Sequence, residues 1–96
     1  MSKHKILLMS CIYSIHLRKK DETIFLKEII NEYEMYFDSI RQPIVSQYII
    51  IFENLDIIQS SYNHRNEKYI TWFDEKLFKK SYELINEIKE RIHFDN

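Results

Sequence analysis

Four histidines, one cysteine and a scatter of carboxylates are the side chains here that could do covalent or metal chemistry. Their spacing argues against it. His4, His16, His64 and His93 form no helical pair at metal-ligand spacing, and Cys11 stands alone, so neither a zinc site nor an internal disulfide is expected. Serine, histidine and aspartate are present, but no strained turn marks a nucleophile. The adjacent acids Asp74 and Glu75 read as charge at the start of a helix rather than as an acid-base pair. The chain has no Gly, which excludes the usual backbone-amide cradle for ATP or a dinucleotide. The expectation is a chain with no catalytic residues, no metal, no cofactor and no small-molecule substrate.

The residues that could bind rather than react fall in two places. Gln47 and Asn54 carry amides able to bond a base edge, Ser46 a hydroxyl able to reach a phosphate, and Arg41 a guanidinium just ahead of them. No Lys or Arg lies between Gln42 and Leu55, and phosphate neutralisation supplies most of the affinity in protein-DNA complexes. The second place is the polar segment from Asn63 to Lys68. Its His64, Arg65, Asn66 and Lys68 are expected at a hairpin tip, either entering a DNA groove or merely solvated. Ile44, Ile50 and Ile51 pull in another direction: they are either an exposed patch for a protein partner or buried core.

Charge is uneven along the chain. The net value is −1, so only local clustering bears on a nucleic-acid partner. The first twenty residues are basic with no acid, and the stretch from Asp21 to Asp56 is acidic.

These side chains need a scaffold, and the periodicity predicts one. Apolar residues recur at three-to-four spacing over 4–18, with Ser2 as a cap and Arg18, Lys19 and Lys20 at the negative end of a helix. Asp21 and Glu22 break the pattern. A second helix is expected over 24–38, capped by Thr23, with 22–24 also able to form a short strand before it. After a turn at 38–42, Pro43 suits the first turn of a third helix reaching Leu55. Val45, Tyr48, Ile49, Phe52 and Leu55 form its expected buried face, and Asp56 stands where a helix-ending Gly would be. Runs 57–62 and 68–73 have strand character and make a hairpin across 63–67. Asp74 caps a final helix over 75–93, with Leu77, Phe78, Tyr82, Leu84, Ile85, Ile88 and Ile92 on its apolar face. Three helices, a hairpin and a long C-terminal helix make an α+β winged helix, a helix-turn-helix with a β-hairpin wing.

Composition adds two constraints. With no Gly and no Ala and only Pro43, the codon usage fits an A+T-rich genome, and turns must use Asn, Asp and Ser. The apolar run Ile6–Ile15 is about ten residues, too short to span a bilayer, so a buried helix is expected and no membrane partner. Cys11 within it reads as a small buried hydrophobe.

Several strings, in order, resemble the C-terminal winged-helix domain of the Orc1/Cdc6 replication-initiator family. Lys5-Ile6-Leu7-Leu8 with Ile12-Tyr13 is similar to its opening helix, and Glu22-Thr23-Ile24 with Glu28-Ile29 and Tyr33 to its second. Ser46, Tyr48 and Glu53-Asn54-Leu55-Asp56-Ile57-Ile58 resemble the end of its recognition helix. Lys68-Tyr69-Ile70 resembles its returning strand. Pro43 and Ile44 stand where archaeal members carry Arg, and the wing has no Gly, which brings the chain nearer the eukaryotic members. The resemblance implies one domain over 1–96, the C-terminal part of a larger AAA+ initiator. It implies binding of double-stranded origin DNA through Pro43–Asn54 and Asn63–Lys68, contact with other origin recognition complex subunits, and a nuclear location, or a cytoplasmic one in an archaeon. An unrelated winged-helix transcription regulator is the alternative.

Overall fold

The apolar periodicities fold much as they read. The computed structural model describes residues 3–19 and 23–95, with side chains through 91. Its elements are α1 (Lys3–Arg18), β1 (Ile24–Phe25), α2 (Leu26–Tyr36), α3 (Gln42–Asn54), β2 (Ile58–Tyr62), β3 (Lys68–Phe73) and α4 (Glu75–Asp95). Among the described residues no helix is long and apolar enough to cross a membrane. The expected Ser2 cap, the Asp21–Glu22 break and the Ile92 side chain lie outside the described residues.

Leu8, Ile12 and Ile15 of α1 bury against Ile29 and Tyr33 of α2, Val45, Ile49 and Phe52 of α3, and Phe78 of α4. α4 packs along α1: Ser81 touches Met9, the Tyr82 ring meets Tyr13, and His16 approaches Glu75. The three strands form an antiparallel sheet in the order β1-β3-β2. Ile24 pairs with Ile70 and Phe25 with Tyr69, while Tyr62 pairs with Lys68 across the wing. A bulge between Gln59 and Ser60 shifts the register, and Thr71, the extra residue, donates its hydroxyl to the Gln59 carbonyl at 3.2 Å.

Without Gly, Asp56 at φ 58° and Asn66 at φ 62° take the left-handed backbone region among the described residues. Asp56 ends α3 as the sequence suggested. Its amide bonds to the Glu53 carbonyl and the Ile57 amide to the Phe52 carbonyl, both at 3.0 Å, which is the Schellman arrangement. Asp74 caps α4, its carboxylate accepting from the Leu77 amide at 3.2 Å.

Three expectations are corrected. Thr23 does not cap α2: pairing with β3 draws Ile24 and Phe25 into a strand, and α2 starts at Leu26. Glu28 then bonds back to the Phe25 amide at 3.0 Å, the reciprocal half of a capping box. Leu55 is half exposed, because the helix ends there and the chain turns away. Leu77, Leu84 and Ile88 are also substantially exposed. α4 packs on the bundle from one side, so that among its described side chains Phe78, Ser81 and Ile85 are buried and Tyr82 and Asn86 partly covered.

Candidate nucleic-acid interface

α3 and the wing converge on one open cleft. Gln42, Ser46 and Ile50 line its helix side, Tyr62, Asn66 and Lys68 its wing side, and Phe25 with Lys27 its floor. Helical periodicity decides which α3 residues face out. Val45, Ile49 and Phe52 are fully buried, which turns Gln47, Ile50 and Asn54 to solvent on the opposite face. Ile50 is 51% exposed and Ile51 42%. Pro43 lies in the first turn, where its missing N–H leaves no bond unmade. Arg41 is the residue before the helix, exposed, in extended conformation, with no side-chain partner among the described residues.

Ile44 does not belong with Ile50 and Ile51. It is half-buried against the core, because the four-residue spacing sets it beside the half-buried Tyr48 on the flank of the helix.

One residue shapes the wing tip. The Asn63 side-chain oxygen accepts from the amides of Arg65 and Glu67, both at 2.9 Å, and its amide nitrogen donates to Glu67 at 3.1 Å. The Asn66 amide closes the turn onto the Asn63 carbonyl at 2.9 Å. Asn66 thereby supports the loop through its backbone. The side chains of His64 and Arg65 are exposed with no ion pair or hydrogen bond among the described residues.

Lys68 departs from the expectation. It does not project from the tip: its side chain is 14% exposed, its Nζ lies 2.9 Å from Glu53 Oε1 and 5.7 Å from the centre of the Tyr62 ring. Glu53 also accepts from the Ser60 hydroxyl at 3.0 Å. These contacts tie α3 to the wing. Sequence reasoning does not mark Glu53 or Tyr62 as site residues, although hairpin pairing across 63–67 sets Tyr62 opposite Lys68. Lys27, likewise passed over, sits 3.8 Å from Glu67 and brings a cation to the cleft floor.

Away from the cleft, the titratable groups are structural. Burial pushes the Glu32 carboxyl up, but hydrogen bonds from Arg18 and Ser14 and the charge of Arg18 outweigh it and hold the group below its ordinary value. Burial, aided by the Glu32 charge, pushes the Cys11 thiol up to about 12, so it stays protonated and a poor nucleophile at neutral pH. Burial also raises the Tyr33 phenol, whose oxygen lies 2.7 Å from His4 Nδ1. Among the described residues no group of histidines, cysteines and acids could hold a metal.

No family model and no curated protein matches the chain. A solved structure does: F93 from STIV, a winged-helix DNA-binding protein, superposes with a TM-score of 0.59 over 96% of this chain and 94% of that one, at 15% identity. At that identity the likeness bears on the fold, and the fold is a winged helix. It does not single out the Orc1/Cdc6 family.

Proposed function

We propose that this chain is a non-enzymatic double-stranded DNA-binding module, with α3 in the major groove and the wing tip against the neighbouring groove or backbone. The observation that carries this is the cleft between α3 and the wing: Ser46 and Ile50 line it from the helix and Asn66 and Lys68 from the wing, while exposed Gln47 and Asn54 continue the α3 face next to Ser46 and Ile50, and exposed His64 and Arg65 precede Asn66 in the wing loop. Gln47 and Asn54 supply base-edge bonding, and Ser46 and Arg41 backbone contacts. That F93 has the same fold and is described as DNA-binding supports the reading.

Affinity is modest, because few cations face the cleft. With Arg41 and Arg65, which have no carboxylate partner among the described residues, each neutralising one phosphate, log K falls against log salt with a slope of about −2. Duplex binding measured over a salt series tests this; undetectable or salt-independent binding overturns it.

Origin DNA is the narrower form of this reading, resting on the ordered strings that resemble the initiator family. A winged-helix transcription regulator fits the same geometry. A second reading, a surface for other protein subunits, is favoured by exposed Ile50, Ile51 and Leu55. Pull-down with initiator subunits, lost in a folded Ile50→Glu variant, would move the function to that surface.

A further inference from the structure

Gln47, Ile50 and Asn54 are three and four residues apart, the spacing that stacks side chains on one helix face. All three are exposed. Ser46 borders this line toward the wing, where it lines the cleft, and Ile51 borders it on the other side. The line therefore reads amide, aliphatic, amide.

Base pairs in the major groove differ in what they donate and accept. Guanine offers two acceptors, met by Arg or Lys, and cytosine a donor, met by Glu or Asp. α3 offers neither. Its single charged side chain is Glu53, and that carboxylate is engaged by Lys68 and Ser60. Adenine presents an acceptor and a donor that an Asn or Gln amide matches with two bonds, and thymine presents a methyl group that an aliphatic side chain packs against. Spacing agrees: seven residues from Gln47 to Asn54 rise about 10 Å, close to three base-pair steps of about 3.4 Å.

We propose that this face reads A·T base pairs, Gln47 and Asn54 each bonding an adenine and Ile50 packing on a thymine methyl between them. The inference rests on the DNA-binding reading above and names its substrate class. The free Arg65 and His64 of the wing tip suit the same target, since the narrow minor groove of A-tracts concentrates negative potential.

The test is fluorescence anisotropy on the full chain with three duplexes of equal length, roughly two helical turns. One is A·T-rich, one G·C-rich, and one is the A·T sequence with uracil in place of thymine. The expected result is binding to the A·T duplex about tenfold or more tighter than to the G·C duplex. Gln47→Ala with Asn54→Ala levels the two, with circular dichroism showing the fold retained. Uracil replacement weakens wild type several-fold and leaves Ile50→Ala unchanged, because the methyl has no partner in that variant. Equal, salt-dependent binding to A·T and G·C duplexes overturns the inference and leaves the DNA-binding reading standing. A G·C preference, or an A·T preference indifferent to all three substitutions, overturns it too. Binding to none of the duplexes removes both.

Discussion

The base of the wing and its tip hold the same kinds of side chain in opposite circumstances. At the base, Lys68 is sunk between Glu53 and the Tyr62 ring. Three residues away, at the tip, Arg65 has its backbone fixed by Asn63 and its guanidinium in solvent. The bundle repeats the first arrangement: Arg18 and Ser14 close on a Glu32 that is only 2% exposed. A cation within reach of a carboxylate on a neighbouring element becomes part of the scaffold. One carried beyond every carboxylate remains available to a ligand.

Breaking the scaffold pair carries the largest expected effect. Arg18→Ala strands Glu32 as a buried carboxylate, because Arg18 supplies two of its hydrogen bonds. The expected loss is about 3 kcal/mol of unfolding free energy, read from urea midpoints. No loss would show Glu32 to be adequately solvated without its partner.

Acid attacks the same pair. The folded value of Glu32 lies below its ordinary 4.5, so its contribution to stability is fully present above that pH and is lost as pH falls through the depressed folded value. The stability difference between wild type and Glu32→Gln should therefore be constant at neutral pH and shrink below about pH 4.5. Denaturation at a series of pH values checks it.

Next is the wing base. Lys68→Met removes a cation that is already inside the fold, so it costs about 1 kcal/mol of stability and leaves the salt slope of duplex binding unchanged. A reduced slope would place Lys68 among the phosphate contacts after all.

The smallest effect on stability belongs to the tip. Arg65→Ala should change unfolding by no more than about 0.5 kcal/mol. It should nevertheless lower the salt slope of binding by about one. The two wing substitutions thus separate stability from binding in opposite ways. Identical behaviour would erase the distinction between base and tip.

Much of this was legible in the residues. The helices of 3–18, 42–54 and 75–95 and both hairpin strands follow apolar periodicity, and Asp56 and Asn66 stand where a glycine-free chain had to use left-handed turns. Gln47 and Asn54 read as outward because Val45, Ile49 and Phe52 fix the opposite face, whereas the spacing leaves Ile50 and Ile51 open between patch and core, and the structure exposes both. The spacing leaves Ile44 open in the same way, and the structure half-buries it, because a residue at the border of an apolar stripe is assigned by its neighbours in space. Lys68 was misplaced for a related reason. Strand alternation gives the side of the hairpin, while the carboxylate that captures Lys68 comes from α3. Leu77, Leu84 and Ile88 looked like core because periodicity marks an apolar face without saying how much of it another helix will cover.

The sequence by itself determined most of the elements, their order and the chemical character of the exposed face of α3, because periodicity, capping and turn preferences act over a few residues. Only the tertiary structure decided which charges are free. Ion pairing depends on distances between elements far apart in the chain, and a separation of a few ångströms turns a binding cation into a structural one.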